Sequence, residues 1–356
     1  MKRLLVAAVA ILTSSCQIGY LIKSSYHQMS LLSQRVPIEK VLADPSVQES
    51  TKAQLRLAQE ARQFSEETLK LSPSKSYTTY VKLDQPYVTY VVSASPKWKL
   101  EHYLWDFPFV GKVPYKGYPT ESEAKEEEKN LQNKNLDTYL RGVSAYSTLG
   151  WFNDPILSSM MRYRNDQLVN TIIHETVHAT LYIKSSADFN ERMAVFLGNK
   201  GTELFYQKKE GTDSKTLLQI KNENEDDKVF SQFITTEIKN LKDWYLHQSE
   251  SQSSDEDRKK QFTLIQEDFK SKALPLMKTD SYKNFAKTEL NNARLLLYKT
   301  YMQDLSDFQK LFDLTDGNFS EFLTCCEQLK KTEKPEDGLK KIVENLTSSK
   351  RKTCRH

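Results

Sequence analysis

The chain has 356 residues, 38% of them hydrophobic and 28% charged, with 51 Lys and Arg against 47 Asp and Glu for a formal net charge of +4. That is the balance of a soluble globular protein, long enough for one large domain or two ordinary ones. Lys2 and Arg3 already account for two of the surplus charges, and the small, evenly spread remainder excludes a nucleic-acid-binding surface.

The first residues, "MKRLLVAAVAILTSSCQIGY", combine a basic start, an apolar run from Leu4 to Leu12 and small polar residues ending at Cys16, which is the layout of a secretory signal. The apolar run is too short to cross a bilayer as a helix, which takes about 20 residues. "LTSSC" also resembles the lipobox of bacterial lipoproteins, in which cleavage before the cysteine leaves it lipid-modified. Ser15 fits that pattern, whereas Thr13 stands where an aliphatic residue is preferred, so an ordinary secretory peptide with a chance cysteine is the alternative. The expectation is a signal over residues 1–15, lipidation of Cys16, and a mature chain held by acyl groups at a membrane of the bacterial cell envelope.

From 24 to 71, apolar residues recur at helical spacing among Gln, Glu, Lys and Arg, and "PSK" at 73–75 ends the run. "SYTTYVKL" and "YVTYVVSAS", split by Asp84, Gln85 and Pro86, predict two strands of a small sheet. Residues 96–120, with Pro96, Pro108, Pro114 and Pro119 among aromatics, predict an ordered, irregular loop region. A charged helix, "ESEAKEEEKNLQNKNLD", comes next, then an extended segment with tight turns over 139–157, "YLRGVSAYSTLGWFNDPIL". Helical patterns cover Met160 to Ile183 and Phe189 to about Gln207. Beyond Gly211 three long helices are expected, at 216–247, 258–277 and 281–312, followed by the charged and mobile stretches "KKTEKPEDGLKK" and "SSKRKTCRH". Besides Cys16 there are Cys325, Cys326 and Cys354. One of the adjacent pair could bridge to Cys354 in an oxidising compartment, or all three could be isolated thiols.

The segment "NTIIHETVHATLYIK", 170–184, carries the chemistry. At about 100° per residue, taking His174 as zero puts His178 near 40° and Glu175 near 100°. Val169, Ile173, Val177 and Leu181 fill a separate arc from roughly −140° to −20°, an apolar stripe to bury. Two imidazoles on successive turns can clamp one zinc ion while the glutamate between them works on its water. A catalytic zinc needs a third protein ligand, and the next acids are Asp188, Glu191 and Glu203. Glu191 falls in the first turns of the next helix and is favoured. The competing reading is that Asp188 and Glu191 form a capping box.

The stretches "FPFVGKVPYKGY", "AYSTLGWFNDPIL", "IIHETVHATLY", "FNERMAVFLGNKG" and "LNNARLLLYKTY", in that order between about 20 and 315, resemble the successive motifs of a bacterial family described as putative aminopeptidases. The resemblance implies a zincin-like metallopeptidase with a glutamate third ligand, carried here by Glu191, often behind a lipoprotein signal. Many members have a cysteine pair around "FPFVG"; this chain has Asp106 and Lys112 there. The expected protein is thus α+β and predominantly α-helical, with a small β-sheet and long C-terminal helices. It is a single domain over 16–356, made of N-terminal helices (16–72), the sheet and zinc-binding core (73–210) and a helical C-terminal part (211–356). Its expected function is hydrolysis of peptide bonds in peptides or proteins with one zinc on His174, His178 and Glu191. Glu175 would act as general base, and Tyr146, Tyr182, Asn292 or Tyr298 would serve a transition state or substrate. Aminopeptidase is the family's description, and endopeptidase activity stays open. The rival reading is a non-catalytic helical surface lipoprotein with a structural or vestigial metal site.

Overall fold

Leu168, Val169, Ile172, Ile173 and Val177 have no exposed surface, and the helix that carries them lies inside the largest hydrophobic cluster of the molecule. The structure is a computed structural model that describes residues 19–20, 23–107, 111–145, 148, 152–184, 186–248, 254–301, 304–349 and 353–354. The expected signal, Cys16 and Tyr146 lie outside the described residues. Among the described residues the chain order is α1 (23–33), β1 (Val36–Pro37), α2 (Ile38–Ala43), α3 (Glu49–Glu67), β2 (Thr79–Val81), β3 (Thr89–Pro96), β4 (Trp105–Phe107), β5 (Gly111–Val113) and β6 (Tyr115–Tyr118). Then come α4 (Glu121–Gln132), β7 (Leu136–Val143), β8 (Ile156–Leu157), α5 (Asn165–Thr180), α6 (Ala187–Glu210), α7 (Lys215–Leu246) and α8 (Asp255–Asp268). The last helices are α9 (Asn292–Tyr301), α10 (Ser306–Leu314), α11 (Phe319–Glu327) and α12 (Pro335–Ser349). The fold is α+β and predominantly helical, as the sequence predicts.

Local chemistry explains many boundaries. Thr120, Ser214, Ser254 and Asn318 each accept a hydrogen bond from a backbone N–H in the first turn of α4, α7, α8 and α11, satisfying a donor that the helix itself leaves free. The 32-residue α7 nearly coincides with the 216–247 expectation. The expected helix over 281–312 is broken instead. Asn291 Oδ1 accepts from the Arg294 amide, and Asp304 accepts from the Ser306 amide. Each of these side chains offers the backbone an alternative to helix, and the expected helix is interrupted at both places. Likewise α8 ends at Asp268 and passes through a π-turn over Phe269–Ala273 before Met277.

The strands do not form one sheet. β2 lies between β1 (antiparallel) and β8 (parallel, Tyr80 opposite Ile156), whereas β3 lies between β6 and β7, antiparallel to both. The two strands expected in one small sheet therefore belong to different sheets, because their backbone partners come from distant parts of the chain. The Pro-rich region 96–120 is also more regular than expected, since it contains β4, β5 and β6. In the β4–β5 hairpin Asp106 stands directly opposite Lys112. An acid and a base are thus cross-strand neighbours in this hairpin.

Three clusters fill the interior. The largest gathers α2, α3, α5, α6 and α10–α12; a second lies among α7, α8, α9 and the turns after α8; the third lies between α4 and the β3 sheet. A buried polar network joins the last two. Asp137 on β7 accepts from the Arg258 guanidinium and, at 2.8 Å, from the Asn292 amide, while Asn292 Oδ1 accepts from the Tyr245 hydroxyl at 2.8 Å. The C-terminal stretches read as mobile are tied down: α12 buries Leu339 and Leu346 in the main cluster, and Cys325 is bonded to Cys354. Cys326 is a buried free thiol whose pKa burial alone pushes up, which makes it unreactive.

α5 and α6 cross at glycine. A Cβ at Gly201 would lie 2.8 Å from Leu69 Cδ1 and 3.0 Å from Ile173 Cγ2, both on fully buried side chains, whereas one at Gly198 would meet His174 Cβ at an ordinary 3.4 Å. Gly201→Ala is therefore expected to destabilise the fold by about 1–3 kcal/mol through overpacking. Gly198→Ala gains helix propensity of up to about 1 kcal/mol with no clash. Urea unfolding of the two variants reads this difference, and equal stabilities would refute the close-crossing account.

Candidate metal centre and active site

The site is built where α5 stops and α6 begins. Thr176 and Thr180 turn their hydroxyls back onto the carbonyls of Ile172 and Thr176, and the Thr180 hydroxyl also accepts the Ser72 amide at 2.9 Å, tying the end of α5 to the segment after α3. Leu181 takes an extended conformation and ends the helix. Leu181 and Ile183 are then buried while Tyr182, between them, faces outward at 40% exposure. The expectation that Tyr182 sits on the motif helix fails because the helix is over before it is reached.

Asn190 fixes the return. Its side chain is buried, accepts from the Ile183 amide at 2.9 Å and donates to the Ile183 carbonyl at 2.8 Å, so the linker is stapled to the first turn of α6. The capping box expected as the alternative role of Glu191 does not form: the N-cap of α6 is Ser186, with no side-chain cap. The next residue after Asn190 is Glu191, and its carboxylate is carried across to α5.

There the Glu191 oxygens lie 3.6 Å from His174 Nε2 and 3.4 Å from His178 Nε2, and the two Nε2 atoms are 3.1 Å apart. Ligands arranged tetrahedrally about 2.1 Å from an ion are about 3.4 Å from one another. The three donors fit such a cation. Among the described residues they form the one group of His, Cys, Asp and Glu able to hold a metal ion. Asp188 and Glu203, the other acids considered, are not in it; the Glu203 carboxylate instead accepts from Asn224.

The electrostatics of the ion-free set are those of a tight charge cluster. Burial raises the cost of charge on Glu191, yet its hydrogen bonds to His174 and His178 hold its pKa far below the ordinary value. Burial likewise opposes protonation of His174, but Glu191 and Glu175 together lift its pKa. Glu175, half-buried beside the ligand set, has its carboxyl raised, by burial first, with the two histidines opposing and Glu191 and Asp154 adding to the rise. A bound cation would favour the deprotonated forms of all three ligands.

Glu175 has neighbours that periodicity alone does not reveal. The pKa values of Tyr77 and Tyr163 are raised, chiefly by burial, and the negative charge of Glu175 contributes to both. Tyr77 holds a left-handed backbone (φ 63°), donates its amide to the Asp154 carbonyl at 2.6 Å and gives its own carbonyl to Gln59. Strained backbone at a buried, bulky residue is concentrated around functional sites. Asp154 lies in the "WFNDP" stretch, and its carboxylate accepts both the amide and the hydroxyl of Thr148. In the sequence, Tyr77 looks like a strand residue and Asp154 like a turn acid.

Asn292 and Tyr298 are placed elsewhere. Every polar atom of the Asn292 side chain is committed, Nδ2 to the carbonyls of Pro96 and Lys97 at 3.0 Å and Oδ1 to Tyr245, and Tyr298 packs its ring against Phe230 and Phe285 in the second cluster. Both are structural positions. The sequence signal "LNNARL" marks a buried junction between sheet and helices, which looks the same as a functional motif until the partners are known.

A family model described as Putative aminopeptidase matches residues 19–340, spanning the α5–α6 site and most of the chain. The chain belongs to that family. Searches of curated proteins and of solved structures find no match. The family description is that of an enzyme acting on peptides, and the His174, His178 and Glu191 group could hold a metal ion.

Because the ligands converge only when α6 is correctly entered, adding a divalent metal to chelator-treated protein is expected to raise its melting temperature, and Glu191→Ala and His178→Ala should abolish that rise. Asn190→Ala should weaken metal binding by about 10–100-fold, as loss of an outer support does. A competition titration against a fluorescent chelator measures it. Unchanged affinity in the Asn190 variant would show that Glu191 is placed by other means.

Proposed function

We propose that the protein is a zinc-dependent aminopeptidase in which His174, His178 and Glu191 hold one zinc ion and Glu175 is the general base. The observation that carries this reading is the convergence of two imidazole nitrogens and one carboxylate at tetrahedral spacing, with the half-buried Glu175 on the same helix, in a chain of an aminopeptidase family. Two nitrogens and one oxygen are a ligand set suited to zinc and leave a fourth position for chemistry. Bound there, zinc would supply Lewis acidity to a water molecule and to a peptide carbonyl.

The chain's own groups do the rest. Glu175 takes a proton from the attacking water and passes it to the departing amine, so one water is consumed for each peptide bond broken. Glu191 and the histidines stay deprotonated as ligands, and the buried apolar stripe of α5 keeps both histidines on a rigid helix. Asn292 and Tyr298, committed to buried structural contacts, are not available to a developing oxyanion.

The cellular setting is part of the same proposal. "LTSSC" supports a lipid anchor at Cys16 in a bacterial cell envelope, and the Cys325–Cys354 disulfide supports an oxidising compartment. No helix among the described residues is long and apolar enough to cross a membrane.

Glu175→Gln is expected to retain its metal, by elemental analysis, and to lose peptide hydrolysis by about 10²–10⁴-fold. Hydrolysis unchanged in that variant would overturn Glu175 as the general base, and absence of hydrolysis in the metal-loaded wild-type protein would leave a scaffold with a structural metal. For the anchor, Cys16→Ser should move the protein from the membrane fraction to the soluble fraction and prevent incorporation of labelled palmitate. Retention of label in the variant would refute lipidation at this residue.

A further inference from the structure

The helix that brings Glu191 to the site begins without a side-chain cap at Ser186. Helix ends that lack such a partner fray, and Glu191 lies only in the second turn. Its carboxylate nevertheless stands 3.4 Å from His178 Nε2 and 3.6 Å from His174 Nε2, a placement that calls for support from outside the helix. Asn190 provides one tie, to the linker at Ile183. A second comes from α10.

Phe308, on the first turn of α10 and without exposed surface, meets three positions of α6 with one ring. Its centroid lies 5.2 Å from that of Phe189 and 6.0 Å from that of Phe196, and the Arg192 guanidinium lies over it at 5.2 Å. Arg192 also donates to the Asp304 carbonyl at 2.5 Å, while the Asp304 carboxylate accepts the amide and the hydroxyl of Ser306 and so fixes the turn that opens α10. At about 100° per residue, Phe189, Arg192 and Phe196 fall within about 60° of one another around α6, whereas Glu191 falls near 200° from Phe189. Gly198, whose Cα faces His174, falls near 180°. The turns that carry the carboxylate are therefore held between α5 in front and α10 behind. Arg192 Nε is buried without a hydrogen-bond partner among the described residues, a cost that an apolar side chain of similar length would not carry. Core filling does not account for a guanidinium there, and a directional tie between α6 and α10 does.

We propose that Arg192 and Phe308 are positioning residues for Glu191: α10 holds the opening turns of α6 from behind and so sets how tightly the His174, His178 and Glu191 group binds its metal. Both histidines ride on the buried helix α5 and stay in place when this clasp is loosened, but Glu191 then moves with a fraying turn. Affinity falls while the fold remains. The tie joins residues 112 apart in sequence, which makes the C-terminal helices part of the metal site although they supply no ligand. The inference rests on the metal reading of that group, and one arm of its test does not.

The variants are Arg192→Met, which keeps the length of the side chain and removes the tie, Phe308→Leu, and as a control Phe319→Leu, which alters the same aromatic cluster where it meets Phe312 and not α6. Zinc affinity is measured by competition with a fluorescent chelator, melting temperature by calorimetry, and amide hydrogen exchange of residues 187–193 by mass spectrometry on the metal-free proteins. Arg192→Met and Phe308→Leu are each expected to weaken zinc binding by about 10–100-fold and to speed exchange in 187–193. Phe319→Leu should lower the melting temperature about as much as Phe308→Leu and leave zinc affinity and that exchange as in the wild type. Zinc affinity unchanged in either clasp variant, or lowered as far in Phe319→Leu, overturns the proposal. A wild-type protein that binds no zinc, with the exchange contrast intact, would instead count against the metal reading alone and leave the clasp of α6 by α10 standing.

Discussion

The close crossing of α5 and α6 is the constraint on which the site depends. Helices approach this closely only where side chains give way, and Gly201 provides that room against Ile173 and Leu69. A bulkier ridge on α6 would push its first turn outward, and a carboxylate displaced by even an ångström leaves a ligand set too open for a small ion. The packing of two fully apolar helix stripes therefore acts at a distance of three helical turns on the position of Glu191. The metal chemistry and the hydrophobic core are, in this sense, one structure.

Asn190 and the end of α5 complete the arrangement from the other side. A polar side chain that is almost wholly buried must find partners, and Asn190 finds both in one residue, Ile183. The linker thereby has a single conformation. A comparable economy of buried polar groups appears at Asp137, Arg258, Tyr245 and Asn292, where β7 meets the C-terminal helices. These networks specify which surfaces meet, whereas the apolar clusters supply most of the driving force.

Much of this was legible from the residues. The spacing of His174 and His178 placed them on one helical face, the stripe from Val169 to Val177 proved fully buried, and Glu191 was named as the ligand to be supplied by the following helix. The helices 165–180, 187–210 and 215–246 were visible as periodic apolar patterns. Less legible was anything decided by a partner far away in the chain. Residues 79–81 and 89–96 read as one sheet because strand propensity says nothing about which backbone a strand pairs with, and Asn292 resembled a functional residue because a buried polar junction and an active site use the same side chains. The 281–312 segment kept a helical pattern while Asn291 and Asp304 broke it through side-chain bonds that periodicity does not weigh.

The sequence by itself determined the helix that carries His174 and His178, its buried face, the predominantly helical character of the chain and the candidate ligand set of two histidines and a glutamate, because all of these follow from local periodicity and from the donor chemistry of His and Glu. Only the tertiary structure decided that Tyr77, Tyr163 and Asp154 lie within electrostatic reach of Glu175, that Tyr182 faces outward, and that Cys325 rather than Cys326 pairs with Cys354. Each of those depends on elements far apart in sequence being pressed together by burial, and the position of a side chain in space after that packing is not a property of its neighbours in the chain.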